Sequence, residues 1–236
     1  MQVTGNSSFV NKRLSIRITT GGFSFSVDGN VRNVAVPQAE LVPKLRTAIK
    51  EYVALNGAKA GAELMFDGPT TLVPLNEFRS DELQGLFRLT FGENAIPQGG
   101  SLRYEVLSAM EVVVLYLVDT EVEQLVADFF PELKVQSLQA RELVRGLEVE
   151  HQLPLGKRRM HVSIQGERLL LFTYVDDHLA YVNTFQADET STQVYYTLYV
   201  WKHLELTQER DILVVHEATD EYMKTIRQFI TDIKCE

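Results

Sequence analysis

Cysteine is almost absent from this chain: Cys235 is the only one in 236 residues. It can form neither an intrachain disulfide nor a cysteine-based metal cluster, which fits a reducing compartment and sets a cytoplasmic location as the expectation. Long apolar runs are also missing. The longest largely apolar stretches, Val112 to Val118 and Leu169 to Val175, fall well short of the roughly 20 residues a membrane helix needs. No membrane insertion is therefore expected. Met1 to Lys12 is polar and lacks the apolar core of a signal peptide. Neither common phosphate-loop pattern, GxxxxGK[ST] or GxGxxG, occurs. Basic residues are outnumbered 23 to 32, a formal charge of -9 that disfavours nucleic-acid backbones and anionic membranes as partners. The one concentrated basic stretch, Lys157-Arg158-Arg159, reads as a solvated loop between two domains.

What is present alternates between two periods. Leu14 to Ile18 and Phe23 to Val27 alternate apolar and polar residues as half-wet strands do, with Thr19-Thr20-Gly21-Gly22 as the turn between them. Asp28-Gly29-Asn30 leads into a third strand over Val31 to Val36, making an antiparallel meander. From Leu41 to Leu55 the apolar residues fall at three- and four-residue spacing, the stripe of a helix. Strands follow at 62–66 and 71–75, a helix at 80–87, and strands at 102–107 and 111–118, the last nearly continuous in β-branched residues and so covered on both faces. A helix over 122–130, a strand at 134–137 and a helix at 138–147 complete this half. After a loop at 151–159 the first pattern returns. Strands at 160–164, 168–175 and 178–185 form a second meander, followed by a helix at 191–204, a strand at 211–216 and a last helix from Thr219 or Asp220.

So a three-stranded meander followed by a helix occurs twice, near residue 14 and near residue 160. A repeat of that length is a duplicated domain, in which helices cover the apolar face of each sheet. The expectation is an α/β chain of two domains, 1–152 and 153–236, each a mixed sheet with an antiparallel meander plus helices. The second half is short: a further strand and helix would be expected after Ile230, where little chain remains.

Leu14 to Val27, the segment Thr71-Leu72-Val73-Pro74 with Phe78 after it, and the second meander from Met160 to Phe185 resemble a family of bacterial proteins of unknown function, found mainly in Bacteroidetes-type bacteria, with an actin-like ATPase fold. The resemblance implies two ribonuclease-H-like halves. In the wider actin-like superfamily, which includes sugar kinases and pilus-assembly scaffolds, nucleotide binds in the cleft between them. An aspartate late in the first strand of each half usually holds Mg²⁺, and a glycine-rich turn after it wraps the phosphates. The corresponding positions here are Arg17 and Ser163, followed by Thr19, Thr20, Gly21 and Gly22 in one half and Gln165, Gly166 and Glu167 in the other. A guanidinium cannot hold a metal, a neutral hydroxyl is a poor substitute for a carboxylate, and Glu167 would repel a phosphate. The resemblance therefore implies the fold but not the ATPase. No metal and no cofactor are expected.

Other candidates have ordinary readings. Asp67-Gly68-Pro69-Thr70 is a turn. His161 and His178 lie on predicted neighbouring strands near Asp176 and Asp177, a weak zinc candidate lacking further ligands. Asp176 and Asp177 suit a hairpin turn, and Glu209-Arg210-Asp211 a charged loop. His203 marks a partly wet helix face. Ser15, Ser24 and Ser26 have no local base. Tyr195, Tyr196, Tyr199 and Trp201 concentrate on one helix. Core packing accounts for part of this, and an interaction surface at Tyr195, Tyr199 and Trp201 is the alternative. The leading expectation is a non-catalytic scaffold that acts with a protein partner or as a homo-oligomer. A nucleotide binder or weak ATPase is the alternative, and a peptide or nucleic-acid module using the basic stretch comes third.

Overall fold

The computed structural model describes residues 14–27, 30–57, 61–153, 158–175 and 178–236. These fall into two compact units. The first comprises the described residues up to Val106 together with Val113–Ala140, the second Leu107–Val112 together with Arg141–Glu236.

In the first unit, β1 (Leu14–Thr19), β2 (Gly22–Val27) and β3 (Asn30–Ala35) form the meander, and α1 (Gln38–Asn56) returns the chain so that β4 (Ala62–Phe66) pairs parallel with β1. β8 (Lys134–Ser137) adds to β4 in parallel, giving the order β3-β2-β1-β4-β8. The alternation in β1 is the reason one face is dry. Leu14, Ile16 and Ile18 join Phe23, Phe25, Leu64 and Phe66 beneath Leu41, Leu45, Ile49 and Tyr52 of α1 and beneath α3 (Thr120–Phe129). Asp119 starts α3 by accepting from the amides of Glu121 and Val122. Between β4 and β8 a second, three-stranded sheet is inserted, ordered β5 (Thr70–Pro74), β7 (Val112–Asp119), β6 (Gly100–Leu107). The expected two-sided burial of β7 holds: Val113 and Leu115 pack with Phe87 of α2 (Leu83–Phe91), while Tyr116 and Val118 enter the main core.

In the second unit, β9 (Arg159–Gln165), β10 (Arg168–Val175) and β11 (His178–Gln186) repeat the meander, and α5 (Thr190–His203) leads to β12 (Ile212–Glu217), parallel to β9. The expectation of a missing strand after Ile230 is corrected here. Beyond α6 (Asp220–Ile226), β13 (Ile233–Cys235) pairs parallel with β12, and the order β11-β10-β9-β12-β13 repeats that of the first sheet. Three residues with one backbone register are too few for a periodicity to reveal. Met160, Val162, Ile164, Leu169, Leu171, Leu213 and Val215 meet α5 and α6 on one face. The other face carries α4 (Leu138–Glu150), whose Val149 packs on Ile212 and Val214.

Candidate functional site

The side chains of β9 that do not enter the apolar core are Arg159, His161, Ser163 and Gln165, a polar row made by the two-residue period of a strand. It is not wet. Arg159, His161 and Ser163 are buried, because α4 lies over them. On α4, Glu142, Gly146 and Glu150 stand four residues apart and share one face. Gly146 makes the approach possible: a Cβ there would stand 2.3 Å from Cε2 of Phe172 in β10. Tyr174 adds a hydroxyl that donates to the Leu143 carbonyl at 2.5 Å.

Each carboxylate of α4 anchors a cluster. Glu142 accepts from Ser163 Oγ at 2.5 Å and Gln165 Nε2 at 2.8 Å through one oxygen, and from Arg168 at 2.7 Å through the other. Gln165 also donates to Glu217 at 3.0 Å. About 12 Å along the helix by its 1.5 Å rise per residue, Glu150 accepts from Arg159 at 2.5 Å and pairs with His161 Nε2 at 2.6 Å. His161 Nδ1 lies 2.8 Å from His216 Nε2. The Glu150 carboxyl is held below its usual range: burial pushes it up, but the hydrogen bonds and charges of His161 and Arg159 outweigh that. His216 is pushed down to about 3, first by burial and then by the charges of His161 and Arg145. Burial raises Tyr174 strongly, with the Glu150 charge adding to it.

Chemically, these carboxylates are occupied by guanidinium, hydroxyl, amide and imidazole donors. Among the described residues no group of three or more His, Cys, Asp or Glu could hold a metal ion.

The remaining sequence-predicted residues fall as follows. Ser163 is a buried donor beneath α4. Arg17 stands on β1 opposite Ser24 of β2 and beside Met65 of β4. In the first turn, Thr19 Oγ1 donates to the Gly22 carbonyl at 3.3 Å, and the Gly21 carbonyl accepts from Val36. Thr20 and Gly21 form the turn itself. Gly22 has a local reason for lacking a side chain: at φ 141° its Cβ would sit 2.2 Å from the Val34 carbonyl oxygen. In the second turn Gly166 adopts φ 60° and its carbonyl accepts from Gln193, while Glu167 accepts from Gln186. Both turns thus make hydrogen bonds within their own unit.

Several expectations are corrected. His161 and His178 are not on adjacent strands, because β10 lies between β9 and β11. His178 instead stands 3.5 Å from Glu111, both exposed. Asp176, Asp177 and Lys157 lie outside the described residues. Arg158 is an exposed loop residue as expected, although it is ion-paired, whereas Arg159 is not solvated. Arg159 is buried against Glu150. Arg158 donates through Nε and an NH2 to Asp211 and also to the Leu204 and Glu205 carbonyls, closing the end of α5. Asp211 is likewise no loop charge. It is buried, and Arg158 and the Thr207 amide hold its carboxyl below its usual range against the opposing effect of burial. Trp201 is 6% exposed in the core of the second unit and drops out of any surface. Tyr195 and Tyr199 are 60% and 56% exposed. Their rings lie 6.2 Å apart, and His203 continues the column at 6.3 Å.

The α4–β9 network was missed in the sequence. Its signals were there: the Glu-Gly-Glu spacing at 142, 146 and 150, and a strand whose second face is wholly polar.

Residues 6–233 match the family described as Protein of unknown function (DUF3822). The chain belongs to that family. It is similar in structure to a Bacteroides thetaiotaomicron protein with an actin-like ATPase fold and unknown function, at 22% identity and a TM-score of 0.75, covering 100% of this chain and 94% of that one. A chain of the PilM-PilN type IV pilus biogenesis complex matches at 11% identity and a TM-score of 0.58, covering 95% of this chain and 88% of that one. No curated protein matches. The family member has the actin-like fold that its two sheets of matching strand order display. Among the described residues no helix is long and apolar enough to cross a membrane.

Proposed function

We propose that this DUF3822 member is a non-catalytic scaffold, acting in the cytoplasm through a protein partner, on an actin-like architecture that no longer holds a metal–nucleotide complex. One observation carries the reading. Where the resemblance would place a metal-holding aspartate in the second half, Ser163 uses its hydroxyl to satisfy Glu142, which is already paired with Arg168. A hard cation needs acidic oxygen donors that are free to turn toward it, and this carboxylate is spent inside the protein. The same position in the first half is Arg17, which no metal can use. Two further points support the scaffold. Tyr195 and Tyr199 offer an exposed aromatic face of the kind that anchors protein contacts. A fold neighbour with 0.58 TM-score works within a named protein complex.

The test is thermal. A ligand that binds only the folded state must raise its stability, by about 2.7 kcal/mol at a hundredfold excess over Kd. At millimolar ATP, with and without Mg²⁺, the expected shift in Tm is nil. A clear Mg²⁺-dependent rise that Gly21→Val abolishes would establish the nucleotide binder instead. Gly21 is the suitable position, since a Cβ there meets nothing within 4 Å and the variant should fold.

A further inference from the structure

Besides the polar network and the tyrosine column, the first unit carries a groove of about 290 Å³ between β3 and the second half of α1. Phe25, Val27, Val34 and Tyr52 form its floor, and Leu55, 85% exposed, stands on its rim. Arg32 of β3 and Glu51 of α1 face it from opposite walls, and neither forms an ion pair among the described residues.

β3 is also the edge of its sheet. Natural edges are usually shortened, bulged or interrupted by proline, because a regular one invites another strand. Of the four edges of the two five-stranded sheets, β8 has four residues and β13 three. β11 pairs with β10 through a register shift. β3 has none of these protections: its six residues run in unbroken register with β2 and contain no proline.

We propose that this edge and groove form a self-association surface, occupied by a second copy of the chain. The symmetry of the patch favours a second copy. A two-fold interface must be self-complementary, with each element meeting the other's counterpart. An antiparallel β3–β3 pair satisfies this for the backbone. With the two-fold axis perpendicular to the sheet, both α1 helices lie on the same side, and the two apolar grooves become one layer that covers Leu55. Each Arg32 is then directed toward the partner's Glu51, so two charges that form no ion pair among the described residues become two pairs in the dimer. A register offset by two residues sets Arg32 opposite Val34 of the partner subunit, which avoids facing like charges across the seam. The tyrosine column on α5 belongs to the other unit and takes no part, so this inference stands whatever the ATP titration returns.

Sedimentation velocity of the full chain, from low to high micromolar, tests it. The expected result is a concentration-dependent dimer. Arg32→Glu and Glu51→Arg should each weaken it by about tenfold or more, as close interfacial charge pairs do. The double reversal, Arg32→Glu with Glu51→Arg, should restore it. Both positions are exposed, so unchanged circular dichroism is expected for each variant. A chain that stays monomeric over the whole range overturns the proposal. So does a dimer that both single reversals leave unchanged, which would place the contact on another face.

Discussion

His161 and His216 lie nearly coplanar, at 14°, with their ring centroids 5.1 Å apart, joined edge to edge by a 2.8 Å hydrogen bond, inside a shell of Phe172, Tyr174 and Glu150. The bond needs one proton. His161 Nε2 supplies a proton to Glu150. His216 Nδ1 is buried without a partner among the described residues.

This arrangement sets a pH dependence. The groups facing His216 are His161, and by charge Arg145, with Arg159 and Glu150 beyond. His216 titrates near 3 when folded and near 6.5 when exposed. Between those values the unfolded chain takes up a proton that the folded chain refuses. Stability must therefore fall as pH drops from about 6.5 toward 3. Glu150, whose folded value is depressed, adds a loss in the same direction once pH enters the carboxylate range. Urea unfolding of wild type and His216→Gln across pH 7 to 4 measures this. The variant should show a shallower decline above pH 5. Parallel curves would show that His216 does not titrate as its burial requires.

Gly146 gives a second expectation. Glycine inside a helix is normally improved by alanine, by roughly 1 kcal/mol. Here the added methyl would meet the buried Phe172 ring at 2.3 Å and 2.9 Å. Overpacking of this kind costs about 1–3 kcal/mol, and Phe172 lies nearly parallel to both the His161 and His216 rings, which restricts its turning. Gly146→Ala should lower the urea midpoint despite its helix propensity. A raised midpoint would mean that α4 can ride off the sheet at little cost.

The two hairpin glycines should behave oppositely. Gly22→Ala drives a Cβ into the backbone of β3, against the Val34 oxygen at 2.2 Å and the Val36 nitrogen at 2.9 Å. Backbone cannot step aside as a side chain can, so a loss of several kcal/mol is expected, at the upper end for single substitutions. Gly21→Ala meets nothing within 4 Å and should stay within about 0.5 kcal/mol of wild type. Thermal unfolding of the pair decides it. Equal effects would count against hairpin packing as the reason for Gly22.

The duplicated architecture was legible because it is written in local periods. Leu14, Ile16 and Ile18 announce a half-dry strand, and Leu41, Leu45, Ile49 and Tyr52 announce the helix that dries it. The same pair of signals recurs at Met160, Val162 and Ile164. What sequence could not supply was which strand lies beside which. His161 and His178 look like neighbours along the chain, yet a whole strand separates them, and the true neighbour of His161 is His216, 55 residues away on β12. Parallel pairing brings together residues with no sequence relation. Arg158 and Asp211 illustrate the same limit. Each sits in a charged run that reads as solvated surface, and only the parallel start of β9 and β12 brings the half-exposed Arg158 onto the buried Asp211.

Ser163 offers the sharpest trial of the view that the second half has exchanged a ligand site for a structural one. If the position were an idle remnant of a metal site, restoring a carboxylate should be harmless. The geometry says otherwise. Ser163→Asp would remove a donor and place a second carboxylate against Glu142, whose oxygen now stands 2.5 Å from the serine hydroxyl. Uncompensated buried charge of this sort costs about 3–5 kcal/mol. Ser163→Ala removes only one donor and should cost about 1 kcal/mol. The aspartate variant should also recover stability as pH is lowered through the carboxylate range, since protonating either acid relieves the repulsion and supplies the missing hydrogen. Mg²⁺ should not rescue it, because Arg168 already occupies the far oxygen of Glu142. Chemical denaturation of the two variants, with and without Mg²⁺, reads all three effects. An aspartate variant as stable as wild type, or one stabilised by Mg²⁺, would return the position to the nucleotide chemistry of its fold.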